Sequence, residues 1–189
     1  MNYAIIGANY GDEGKGLFTD YFCNLSNADI VVRFNGGSNA GHTVHLNGIK
    51  HVFNHFGSGT LRNVPTFLSK YFVFNPLLFL KEIRILKDKG INPIVYVDPY
   101  CKVTSIYDIL INQIAETLRY NRHGSCGVGL GETMVRDVKG LSFYVSDKPI
   151  IVRDLLKYIK HEYLFKRLSE LDLNSSEIPE SLKLFIDNP

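Results

Sequence analysis

Asp12, Glu13 and Lys15 stand among glycines in the stretch Gly7–Gly16, and Asn39, Gly41 and His42 close a second glycine-rich stretch running from Arg33 to Thr43. Glycines let a backbone curl until its N–H groups converge on an anion, and a helix N-terminus behind the curl adds positive potential. Lys15 supplies a mobile cation. The chemistry this suggests is phosphate handling. The match to the Walker A spacing is imperfect: counting back from Gly14-Lys15 lands on Asn9 rather than Gly7. Gly16 stands where a serine or threonine would ligate magnesium, which leaves Asp12 as the nearest hard oxygen donor. Asp12 also suits a plainer role beside a helix dipole. A third run, Arg122–Thr133, contains Ser125 and Cys126 among four glycines.

These loops need elements to hold them. Tyr3–Ile6 reads as a strand entering the first loop, and Leu17, Phe18, Tyr21, Phe22 and Leu25 recur at helical spacing after it, as the core face of a helix. Ile30–Phe34 reads as a strand running into the second loop. Val44–Leu46 and Ile49–Phe53 flank Asn47-Gly48, a strong hairpin signal because both turn residues need positive φ. Phe56–Thr60 is a further small-residue loop. Asn75 as cap, Pro76 at the first position and Gly90 at the exit frame a helix whose stripe is Leu77, Leu80, Ile83 and Leu86. Ile94–Val97 reads as a buried strand. Tyr107–Arg119 reads as a helix with Ile106, Ile109, Leu110 and Ile114 inward, and Leu155–Leu171 as another. Asn174–Pro179 reads as a break and Ser181–Ile186 as a short helix at most. Strands alternating with helices predict an α/β fold: a mainly parallel sheet flanked by helices, with a P-loop-like nucleotide-binding architecture and one small β-hairpin. Ligands in such folds sit beyond the carboxyl ends of the strands. The 189 residues suit one α/β domain, 1–189, with 151–189 as a helical C-terminal segment.

Composition excludes some classes. The net charge of +2 is too small for a nucleic-acid footprint, and no apolar run reaches membrane-spanning length. Cys23, Cys101 and Cys126 are widely spaced and predict neither disulfides nor a zinc pair, which points to a reduced, cytoplasmic setting. His45, His51 and His55 lack a carboxylate or thiol at ligand spacing, which argues against zinc. Cys126 reads as a small packing residue rather than a nucleophile; Arg122 and His123 read equally as surface or as phosphate-loop residues.

Taken together, Gly11–Gly16, Arg33–Thr43, Phe74-Asn75-Pro76 with its helix and, less closely, Gly124–Gly131 resemble the adenylosuccinate synthetase family. The resemblance covers that family's N-terminal half and implies a longer ligase of which this chain is the N-terminal portion. It implies GTP-dependent ligation of L-aspartate to C6 of IMP through a 6-phosphoryl intermediate. Asp12 would be the base at purine N1. His42 would donate to the oxygen being phosphorylated, and Lys15 would hold transferring phosphate. Gly11, Glu13, Gly14, Lys15, Gly16, Asn39, Ala40, Gly41, His42, Thr43, Ser125 and Cys126 would contact nucleotide. Arg136 would cross a dimer interface to the neighbour's nucleotide. Mg²⁺ would bind Asp12 and the Gly41 carbonyl. The family resemblance also implies a homodimer. Some loops, Phe56–Thr60 and His123–Gly127, resemble the divergent viral 2-aminoadenylosuccinate synthetases, which take dGMP. Those enzymes often replace the loop aspartate, whereas Asp12 is kept here, which favours IMP. Val128 and Glu132-Thr133 depart from the family's arginine and proline-alanine. A different class, a non-catalytic nucleotide-binding protein, is compatible with the short chain.

Overall fold

The computed structural model describes residues 1–9, 11–120, 124–173, 177–180 and 183. The chain divides into two compact units, Met1–Cys101 and Lys102–Pro189.

In the first unit, α1 (Lys15–Ser26) follows the first glycine loop, then β1 (Val31–Arg33), β2 (Gly36–Gly37), β3 (His42–Leu46) and β4 (Ile49–Phe53). A short 3₁₀ turn at Thr60–Arg62 leads to β5 (Thr66–Leu68), β6 (Phe72–Phe74), α2 (Pro76–Asp88) and β7 (Val95–Val97). Strands β1, β5 and β7 form a parallel sheet in that order, with Val31 opposite Thr66 and Thr66 opposite Val95. β2 pairs with β6, also in parallel. β3 and β4 are the expected hairpin: Leu46 faces Ile49 and His42 faces Phe53, around Asn47 (φ 50°) and Gly48 (φ 79°). The core beneath it is Val44, Phe53, Phe56, Leu61 and Leu86. α2 has the predicted frame. Asn75 Oδ1 accepts from Leu78 N, Pro76 opens the helix, and Gly90 leaves it at φ 74°.

Four expectations in this unit are corrected. The strand expected at Ile94–Val97 is not buried, since Ile94 and Tyr96 are exposed, and of the stripe expected on α2 Leu77 and Leu80 are exposed while Leu86 is buried. Tyr3–Ile6 is not a strand: among the described residues the sheet ends at β1, and a strand cannot persist without a neighbour for its N–H and C=O groups. Tyr3 instead stacks on Phe22, ring centroids 4.6 Å apart. The apolar stripe of α1 is not its buried face either. Leu17, Phe18, Tyr21 and Leu25 are exposed, while Gly16, Asp20 and Cys23 are buried. Asp20 accepts a bidentate pair from Arg62 Nε and Nη2 at 2.8 and 2.9 Å. Gly57 and Gly59 explain the close packing of α1 and β1 over their loop, since a Cβ would lie 2.6 Å from Val31 Cβ at one and 2.7 Å from Cys23 Sγ at the other.

The second unit holds β8 (Lys102–Val103), α3 (Ile106–Leu118), α4 (Leu130–Val138), α5 (Pro149–Tyr158), a π-helical turn at Ile159–Tyr163 and α6 (Leu164–Glu170). A capping box starts α3: Ser105 Oγ accepts from Asp108 N, and Asp108 Oδ2 accepts from Ser105 N. Its inward residues are Tyr107, Asp108, Leu110, Ile111, Ile114 and Ala115, so the face is rotated from the expected one and Ile106 and Ile109 lie at its margin. The helix expected over Leu155–Leu171 starts earlier and carries the π turn. Most of the segment expected at Ser181–Ile186 lies outside the described residues. No helix among the described residues is long and apolar enough to cross a membrane.

Candidate functional site

The first glycine loop curls as its residue types demand. Gly11 and Gly14 take φ of 130° and 75°, and Asp12 itself sits at φ 53°, a region aspartate tolerates better than most residues. Gly14 is the N-cap of α1 and provides no side-chain cap, so the first-turn N–H groups keep their anion-binding capacity. The Glu13 carboxylate instead fills the curl, accepting from Asn9 N–H and from Lys15 Nζ. The Lys15 ammonium, followed by the Asn9 amide, holds the Glu13 carboxyl below its ordinary value. Asp12 is exposed and pairs with no side chain among the described residues.

The second loop meets the first at His42. A Cβ on Gly16 would lie 2.8 Å from His42 Cβ and 3.1 Å from its backbone. This is the physical reason no serine or threonine follows Lys15: the place of its side chain is filled by the start of β3. His42 is half-buried, and Arg33 Nη1 stands 3.4 Å from its Nδ1. A guanidinium only donates, so Nδ1 accepts and the proton resides on Nε2. Burial, then the positive charges of Arg33 and Lys15, push His42 down to about 4. It is therefore a neutral imidazole at neutral pH with one N–H to donate. Arg33 is itself buried, over the Phe72 ring at 5.3 Å. Burial lowers it to about 10, opposed by the charge of Glu82. The sequence reading missed this residue's part. Its signal was a lone charge ending an apolar strand.

Asn39, Ala40, Gly41 and Thr43 follow β2 into the hairpin, and Asn54 Nδ2 donates to Ser38 O at 3.0 Å and Ala40 O at 3.3 Å. His51 and His55 are buried on Glu82. Burial alone would raise Glu82. The contacts from His51 and His55 and the amides of His55 and Asn54 outweigh it and bring Glu82 to about 2. The His51 Nε2 contact, at 3.6 Å, is an ion-pair distance and not a hydrogen bond.

In the second unit Ser125 and Cys126 are exposed on a loop pinned to α3. Asn112 Nδ2 donates to Ser125 Oγ at 2.9 Å, Asn112 Oδ1 accepts from Gly129 N at 3.1 Å, and Glu116 accepts from Gly124 N at 3.0 Å. Arg122 and His123 lie outside the described residues. The Arg136 expectation is corrected. Its side chain is 1% exposed, donates to both oxygens of Asp108, and reaches Val103 O and Leu141 O at 2.8 and 2.6 Å. With four of its five N–H groups spent on a buried carboxylate and two carbonyls, and the side chain itself buried, the guanidinium is committed inside this unit rather than presented to a neighbouring subunit's nucleotide. Among the described residues no group of three or more His, Cys, Asp or Glu could hold a metal ion.

A parallel sheet, a glycine curl opening into an uncapped helix, and a neutral histidine beside its lysine define an α/β protein with a loop of the anion-binding kind. The family model for adenylosuccinate synthetase matches residues 4–177, and the chain belongs to that family. The adenylosuccinate synthetase of Francisella philomiragia is 34% identical over 93% of this chain and 42% of its own length. That of Borrelia duttonii is 35% identical over 68% and 30%. The fully ligated adenylosuccinate synthetase of Plasmodium falciparum superposes with a TM-score of 0.72 at 22% identity, covering 96% of this chain and 42% of that one. A cyanophage S-2L succinoaminodeoxyadenylate synthetase, bound to dGMP and dATP, shares the fold at a TM-score of 0.55 and 22% identity, over 69% of this chain and 36% of that one. The chain thus spans less than half the length of these relatives.

Proposed function

We propose that this chain provides the phosphate- and purine-handling part of an adenylosuccinate synthetase: GTP-dependent attachment of L-aspartate to C6 of IMP. One observation carries the reading: a neutral His42, its Nδ1 turned to Arg33, presents Nε2–H beside Lys15 at the start of α1. That is a donor preorganised for an oxygen that gains charge. Asp12, exposed and with no side-chain partner among the described residues, takes the proton from purine N1. The 6-oxygen attacks the γ-phosphorus of GTP, the bond to the β-phosphate oxygen breaks, and GDP leaves. The aspartate amine then attacks C6, loses a proton and expels phosphate. Lys15 and the amides of the first loop hold the phosphate during transfer. They do so once Glu13 gives up the curl to it.

The donor set fits magnesium. One exposed carboxylate, Asp12, and the Gly41 carbonyl are hard oxygens, and magnesium asks for few protein ligands when phosphates complete its shell. Bound there, it would neutralise charge on the phosphates. Among the described residues no disulfide joins Cys23, Cys101 and Cys126, which fits a reducing cytoplasm. A homodimer remains part of the proposal on family grounds alone, since Arg136 no longer supports it.

Calorimetric titration of the chain with IMP, dGMP and Mg·GTP tests the reading. Saturable IMP binding, weakened by Lys15→Ala and His42→Asn, is expected. Preference for dGMP would move the substrate to the viral type. Absence of binding by any of the three would overturn the proposal. Including L-aspartate and assaying for adenylosuccinate separates a catalytic chain from one that only captures nucleotide.

A further inference from the structure

We propose that Asn54 and Glu82 are positioning residues that hold the Ser38–Gly41 loop in the shape the purine site requires. This rests on the reading of that loop as nucleotide-binding, and deepens it. Asn54 directly follows β4, and because His42 pairs with Phe53, the next residue on each strand brings Asn54 against Gly41. Its amide spends both N–H groups on the loop, one to Ser38 O and one to Ala40 O. The carbonyls on either side of Asn39 are thereby fixed. Gly41 lies close enough to β4 that a Cβ there would stand 2.9 Å from Val52 Cγ1 and 3.9 Å from Asn54 Nδ2.

Asn54 is itself held from behind. Its backbone N–H donates to Glu82 Oε1 at 3.0 Å, and the next amide, of His55, donates to Glu82 Oε2 at 2.8 Å. His55 Nε2 accepts from Asn75 N at 3.2 Å, so its proton sits on Nδ1, 3.4 Å from the same carboxylate oxygen. Asn75 caps α2, and Glu82 projects from α2. One helix therefore grips the end of the hairpin at two points, and the hairpin end grips the loop. Glu82 is 4% exposed and touches no position expected to meet ligand, so its polar contacts serve the hairpin end rather than solvent or substrate. A buried carboxylate is kept where it satisfies several donors at once. Here two of those donors are the consecutive amides that aim the Asn54 side chain.

The test uses Asn54→Asp, which keeps the shape and removes the donor, with Asn54→Gln as the conservative variant and Glu82→Gln as the second site. Hydrogen exchange is followed by mass spectrometry, and IMP affinity by calorimetry. Losing the two loop hydrogen bonds is expected to speed exchange at 38–43 by about tenfold and to weaken IMP by about tenfold. Exchange in α2 and β5 should stay unchanged, and Asn54→Gln should recover part of both effects. Glu82→Gln should give the same loop-confined pattern at lower amplitude. If exchange at 38–43 is unchanged in Asn54→Asp, or rises equally across the whole unit, the proposal is overturned. If wild-type chain binds no IMP, the functional reading fails, while the exchange pattern still decides whether the two residues position the loop. Should Glu82→Gln fail to fold, Asn54→Asp, at a partly exposed position outside the core, decides alone.

Discussion

The two glycine loops of the first unit are similar in composition and opposite in construction. The Gly7–Gly16 loop is held by its own residues, Asn9, Glu13 and Lys15, two to four positions apart. The Arg33–Thr43 loop is held by residues far along the chain: Asn54 from the hairpin and, through it, Glu82 from α2, 28 positions from Asn54. The difference matches the tasks proposed for them. A loop that must take up and release a phosphate is best closed by a local, exchangeable carboxylate. A loop that must present His42 and a carbonyl in fixed positions is best tied to a helix. The loops meet at one place, where Gly16 lies on His42.

Breaking that meeting point should have the largest effect. Gly16→Ala puts a methyl carbon 2.8 Å from His42 Cβ, and the neighbour it meets is strand backbone as well as side chain. Overpacking of this kind costs about 1–3 kcal/mol. Calorimetry should show nucleotide affinity falling by roughly 100-fold as His42 leaves the start of α1, a loss of about 2.7 kcal/mol in binding. Gly11→Ala meets no atom within 4 Å and carries only the strain of its φ, so an equal loss there would dissolve the comparison.

Of comparable size, but read on rate rather than on binding, is the effect at the second loop. In an enzyme complete enough to turn over, His42→Asn should lower kcat on the order of 10²-fold, as loss of a preorganised donor does. A change confined to KM would make His42 a ground-state contact.

Acid should test the anchors of the second loop in turn. His42 has a folded value of about 4 against an ordinary 6.5, so the unfolded chain takes up that proton first. Its contribution is therefore complete above 6.5, falls as pH drops below it and is gone below about 4. Glu82 is also depressed, to about 2 from 4.5, so its contribution is complete above 4.5 and is lost as pH falls through 2. Unfolding monitored between pH 7 and 4 should show proton uptake that disappears in His42→Asn. Arg33→Met should raise the His42 titration seen by NMR, because it removes a facing positive charge. A His42 that titrates at 6.5 in the wild type would remove the neutral donor on which the functional reading rests.

The smallest effect belongs to the local clasp. Glu13→Gln leaves the fold alone and frees Lys15, so inorganic phosphate should bind about two- to threefold more tightly, the scale of a solvent-exposed ion pair. Weaker phosphate binding would mean that Glu13 builds the cradle rather than fills it.

Much of the scaffold was legible along the chain. Asn47-Gly48 announced the hairpin, and Asn75-Pro76 with Gly90 announced α2, because caps and turns depend on the φ and hydrogen-bonding habits of a few adjacent residues. Asp12, Lys15 and His42 stood out as candidates too, because their types are rare in such company. Arg33, Asn54 and Glu82 were not recognised as parts of the proposed site. Each acts on a partner whose distance in sequence, 9 to 28 positions, has no local signature. Arg136 is the opposite case: the family resemblance implied a reach across a dimer interface, but Asp108 claims it inside the second unit.

The sequence by itself determined the α/β alternation, the hairpin, the helix frames and the family, since each rests on local conformational preference or on residue type at fixed spacing. Only the tertiary structure decided that the apolar stripe of α1 is exposed, that Tyr3–Ile6 finds no sheet among the described residues, and that His42 is neutral with Nε2–H free. Periodicity marks which face of an element is apolar but not what covers it. A proton's position depends on the charges and donors that folding brings within a few ångströms.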